Sequence, residues 1–127
     1  MKSKRIECEV FKCGVELVWN CEVAGLEKML KKKKIIGKDA DLSGLEGADG
    51  AQLSFIDEQE VTRVLWLKQW KNKAEDIGRL AHEVSHLVIR ICDWKGVPFD
   101  GDRNNDETFA YLVDYFVIKA LTELNKK

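Results

Sequence analysis

Residues 75–95 carry the longest unbroken helical pattern in the chain, and it limits what the rest can become. Ile77, Leu80, Ala81, Val84, Leu87, Val88 and Ile91 recur at steps of three and four and form one apolar stripe. Such a helix is about 30 Å long, so the remaining chain must supply a surface that covers the stripe. Asn72 followed by Glu75 fits a capping box, and Gly96 fits a C-terminal stop, which sets the helix at 72–95. The covering surface is expected from two strand pairs and two further helices. Residues 4–21 alternate loosely around Gly14 and predict a β-hairpin. Leu26, Met29 and Leu30 predict a helix over 23–34 that ends in a lysine run and is closed by Gly37. Residues 37–50 hold four of the nine glycines and read as a loop. Two strands are expected within 52–68, Gln52 to Ile56 and Val61 to Lys68, with Asp57-Glu58-Gln59-Glu60 between them. The second strand is apolar on both faces, which predicts that one face is only partly covered. A last helix is expected over 105–124. The order predicts one α+β domain, 1–127, with a small twisted sheet packed on helices.

The 127 residues leave room for one domain. With 21 basic and 22 acidic residues the net charge is -1, which argues against a nucleic-acid binder that works by bulk electrostatics. No apolar stretch approaches the roughly 20 residues needed to span a bilayer. The basic start, Lys2 to Arg5, has no apolar run behind it, so no secretory signal is read there. The expectation is a cytoplasmic protein with four free thiols, Cys8, Cys13, Cys21 and Cys92. No pair of them has the two-residue gap of a zinc knuckle, and apolar thiols in or near the strand pair are expected. The run Lys31 to Lys34 is read as a solvated helix end that complements the helix dipole.

The only two histidines lie four apart, in His82-Glu83-Val84-Ser85-His86. Random placement would give that spacing in about 1.5% of cases, and a following glutamate lowers this to about 0.15%. On a helix, residues four apart differ by about 40° in direction and about 6 Å along the axis, so both imidazoles can converge on one ion. Glu83 then projects beside the ion, where a carboxylate can take a proton from water and pass it to a leaving amine. His82 and His86 lie nearly opposite the apolar stripe, together with Arg79 and Asp93, so they are not core residues of that face.

A catalytic zinc site needs a third protein ligand and an open position for water. No third histidine exists, and Asp93 lies two turns beyond His86, too far for a shared ion. Glu107 is the chosen ligand. It follows His86 by 21 residues, enough for a return loop and an antiparallel helix. Asn104 with Glu107 also fits a capping box, which would leave the glutamate tying down its own helix. Asp106 is the next candidate, followed by Asp100, Asp102 and Asp114. Tyr111 and Asp114 share the Glu107 stripe and are candidates for orienting a ligand imidazole, while Tyr111 or Tyr115 is a candidate for holding an oxyanion. Asp100 to Asn104 starts like a calcium loop, but Asn105 stands where glycine is needed and Tyr111 where glutamate is needed.

His82-Glu83-x-x-His86 with a downstream, helix-borne Glu107 resembles the gluzincin group of zinc metallopeptidases, in the form of a small single-domain zincin of bacterial or phage type. The resemblance covers roughly residues 50–124. It implies one zinc ion held by His82, His86 and Glu107, with Glu83 as general base, and a protein or peptide substrate. It also implies that the strand before the motif helix, Val61 to Lys68, is the edge strand that pairs with substrate. Two departures stand out. The chain is too short for the second subdomain that carries the transition-state stabiliser in thermolysin-like enzymes, and Tyr111 stands where those enzymes carry an aspartate. The alternative function is a weakly active or inactive zinc-containing module that binds a partner through the strand edge at 61–68. A third reading is a metal-free scaffold.

Overall fold

A computed structural model describes residues 1–9, 11–57, 60–98 and 103–126. The fold is α+β. Strands β1 (Lys2–Cys8) and β2 (Cys13–Trp19) precede helix α1 (Val23–Lys32), strands β3 (Gly50–Asp57) and β4 (Glu60–Leu67) follow, and helices α2 (Ala74–Lys95) and α3 (Arg103–Leu124) end the chain. The sheet order is β1-β2-β4-β3. β1 and β2 form an antiparallel hairpin closed by Cys8 opposite Cys13. β3 and β4 form another, and β2 lies parallel to β4.

β4 is therefore an interior strand, not the edge strand expected from the sequence. Its two apolar faces are the reason. Leu65 and Leu67 join Val15, Leu17 and Trp19 beneath α2 and α3, while Val64 and Trp66 join Val18 beneath α1 and Ile36. All four β4 side chains are buried, so the expectation of a partly covered face is also corrected. A strand covered on both faces gains most by pairing along both edges as well. The open edge beside α2 belongs to β3.

α2 starts at Ala74 with Lys73 as its N-cap, one residue later than the capping box expected from Asn72 and Glu75. Asn72 instead takes a left-handed conformation, φ 58°, and Asp76 caps the helix. Its Oδ2 accepts from the backbone N–H of Lys71 at 2.8 Å and of Lys73 at 3.2 Å. Trp70 Nε1 donates to Asn125 Oδ1 at 3.0 Å, which sets the start of α2 beside the end of α3 and makes the pair antiparallel. The lysine run is partly ion-paired: Lys31 lies 3.5 Å from Glu27 and Lys33 lies 3.2 Å from Glu16. Among the described residues no helix is long and apolar enough to cross a membrane.

Burial pushes the Asp76 carboxyl up, but the two backbone N–H donors and the charges of Arg79 and Lys73 outweigh it and hold the group below its ordinary range. A carboxylate with a lowered folded pKa adds stability that is complete above its unfolded value, about 3.9, and is lost as pH falls through the folded value. Below about pH 4 the parent is expected to lose melting temperature more steeply than Asp76→Asn does. Asp76→Ala is expected to cost about 1 kcal/mol at neutral pH, the size of a lost helix cap. Thermal melts from pH 3 to 7 check both.

Candidate metal centre

α2 brings the two histidines together as the four-residue spacing requires. His82 Nε2 and His86 Nε2 lie 3.2 Å apart, with the rings 4.7 Å between centroids and nearly perpendicular at 82°. Two zinc–nitrogen bonds of about 2.0–2.1 Å at a tetrahedral angle would set those nitrogens about 3.3 Å apart. The donor pair therefore fits a shared divalent ion. Both histidines are exposed, and the His82 side chain keeps 67% of its surface open to solvent. Glu83 is different. It is only 7% exposed, and its Oε1 lies 3.8 Å from His82 Nε2. The motif thus combines two open imidazoles with one sheltered carboxylate.

The neighbours of the motif show which way it faces. Arg79, one turn earlier, reaches Asp49 at 3.5 Å, just before β3. Arg90, one turn later, offers its backbone carbonyl to Arg63 Nη2 at 3.3 Å, and Arg63 Nη1 donates to Ser54 Oγ of β3 at 2.6 Å. Arg79, Glu83, His86 and Arg90 share one flank of α2, and that flank looks toward β3. Gly50, Gln52 and Ser54 stand opposite Leu67, Leu65 and Arg63, so by strand alternation they share the α2 side of the sheet. A polar seam therefore runs between α2 and the open edge of β3. Its strand half was not anticipated from the sequence, although the alternation Gly50, Gln52, Ser54 is visible there.

α3 lies on the other side of α2. The Tyr115 hydroxyl donates to the backbone carbonyl of Glu7 on β1, the strand at the far end of the sheet from β3. Glu107 is exposed, as are Asp106, Tyr111 and Asp114. Among the described residues no three His, Cys, Asp or Glu side chains gather as a metal-binding group, so the structure does not bring Glu107 to the histidine pair. The two residues also stand at different depths in their helices. α2 runs nine residues past His86, about 14 Å, whereas Glu107 lies four residues into α3, about 6 Å. Asp100 and Asp102 lie outside the described residues, as does most of the calcium-like stretch. Tyr111 and Tyr115 line a cavity with Glu7 and Lys119 on the β1 side, away from the imidazoles.

The cysteines are free thiols. Cys8 and Cys13 face each other across the hairpin, and the Cys13 thiol is pushed up to about 11, chiefly by burial and then by Cys8. No family model matches the chain, and no curated protein or solved structure matches it.

Proposed function

We propose that this protein is a cytoplasmic zinc-dependent metallopeptidase whose centre is the His82–His86 pair with Glu83 as general base. The observation that carries the reading is the 3.2 Å approach of the two Nε2 atoms beside a buried glutamate. A divalent ion held there would supply Lewis acidity and an acidified water. His82 and His86 would hold it through Nε2. Glu83, sheltered from bulk water, accepts the proton of the attacking water and returns it to the leaving nitrogen. An extended peptide substrate would pair with the open edge of β3, whose backbone donors and acceptors recur at the strand repeat. Because α3 stands on the opposite flank, Glu107 is given a lesser part than the histidines.

Zinc titration tests the centre. The parent is expected to bind one equivalent at saturating zinc. His82→Ala and His86→Ala are each expected to weaken binding at least 100-fold, and Glu107→Gln far less. Less than about one equivalent in the parent, or binding that survives both histidine changes, overturns the proposal. The open β3 edge also supports a second reading, a zinc-containing module that captures a partner strand without cleaving it. Zinc binding without hydrolysis, with partner capture that survives Glu83→Gln, favours that reading.

A further inference from the structure

A second concentration of charge lies at the C-terminal end of α2. A cavity of about 360 Å³ opens between the starts of β2 and β4 and the last turn of α2, and Arg5, Lys12, Cys13, Arg63, Trp94 and Lys95 contribute to its lining. Arg63 is the unusual member. It interrupts the apolar face of β4 and is only 5% exposed. Its two described hydrogen bonds go to neutral acceptors, Ser54 Oγ and the Arg90 carbonyl. Among the described residues no carboxylate pairs with it, nor with Lys12 or Lys95. Arg5 is committed elsewhere, to Glu7 and Glu16.

A buried cation without a counter-charge is costly. Here burial pulls the Arg63 pKa down, the Cys13 thiol acts against that, and Arg90 adds to it. An anion placed beside Arg63 would relieve the imbalance. The guanidinium has five N–H donors in a fixed fork, of which the described bonds occupy only part, and lysines add mobile point charges. That combination suits a tetrahedral oxyanion with several acceptor oxygens better than a planar carboxylate with two. The cavity is also larger than a bare phosphate, and Trp94, 53% exposed, offers an apolar wall for whatever the phosphate carries.

We propose that this cavity binds a phosphate group, free or carried on a small molecule, with Arg63, Lys12 and Lys95 as its donors. The site shares no residue with the histidine pair and lies beyond it along α2: Arg63 bonds the carbonyl of Arg90, four residues or about 6 Å past His86, and Lys95 lies nine residues past it, about 14 Å. Its test therefore uses chelator-treated protein, in which the metal reading plays no part. Inorganic phosphate is titrated at constant ionic strength, with sodium chloride as the balancing salt, and the amide resonances of residues 61–63 and 94–95 are followed. Saturable shifts at those residues are expected. Lys12→Ala/Lys95→Ala is expected to weaken binding at least ten-fold without moving the ligand-free melting temperature. Arg63→Lys, which keeps the buried charge and loses the fork, is expected to weaken it as well. A parallel titration with phenyl phosphate identifies the source: tighter binding than inorganic phosphate assigns the site to a phosphate ester, and weaker binding assigns it to the free ion. Shifts that do not saturate, that sodium chloride alone reproduces, or that survive both sets of substitutions overturn the proposal.

Discussion

Glu83→Gln is expected to lower peptide hydrolysis by about 10²–10⁴-fold, the usual contribution of a positioned general base. The change keeps the shape of a side chain that is only 7% exposed and removes its capacity to accept a proton. Zinc stoichiometry is expected to stay at one equivalent, because the two Nε2 donors come from other residues. Melting temperature is expected to stay near that of the parent, since the amide occupies the same volume. Rates on a peptide library, measured beside metal content on the same preparations, check the pattern. Unchanged hydrolysis in Glu83→Gln would show that the motif carboxylate is not the base. Hydrolysis lost together with zinc would show that Glu83 acts on the centre rather than on the water.

Trp66→Ala is expected to be the most destabilising of the substitutions considered, at about 3–5 kcal/mol. Trp66 is fully buried, packs with Val18, Val64 and α1, and donates from Nε1 to the Cys21 carbonyl at 3.0 Å. Truncation removes a large apolar volume from a closely packed layer and takes away that donor. Domains of this size have about 5–15 kcal/mol in hand, so a fall of about 10–20 °C in melting temperature is expected. Trp66→Phe is expected to recover more than half of the loss. Because Trp66 lies on the sheet face away from α2, zinc bound per folded molecule is expected to be unchanged. Calorimetry with zinc titration below the transition checks both, and a loss under about 1 kcal/mol would contradict this packing.

The local elements were legible because their causes are local. Of the stripe, Leu80, Val84, Leu87, Val88 and Ile91 do face the core, while Ile77 and Ala81 are exposed, and Gly96 does end α2 in a left-handed cap, φ 75°. The convergence of His82 and His86 also follows from helix geometry alone. Strand order was not legible, because it depends on partners far apart in the chain. The apolar residues on both faces of β4 were visible, yet nothing near them indicates that β2 pairs along the other side. The site was half legible for a similar reason. The count of 21 residues from His86 to Glu107 allows a return helix, but it does not fix the level at which that helix meets the histidines. That level depends on how α3 packs against α2, for which the described tie is Trp70 to Asn125 at the far end of the pair. Nothing in the sequence marks Arg63, because a single charge in an alternating strand looks like a solvent-facing position until the sheet is assembled.

The parallel seam between β2 and β4 has a kinetic consequence. Val15 and Arg63 meet across 48 positions of chain, whereas the hairpin pairs Cys8–Cys13 and Asp57–Glu60 meet across five and three. Hairpins of this kind form in about 1–10 μs, and closing the long connection is the slower step. Until β2 arrives, the β3–β4 ribbon exposes the unpaired backbone of Val64 to Leu67, an apolar stretch suited to recruiting a strand from another molecule. Refolding yield should therefore fall as protein concentration rises, and a β1–β2 peptide added in excess should restore it by occupying that seam first.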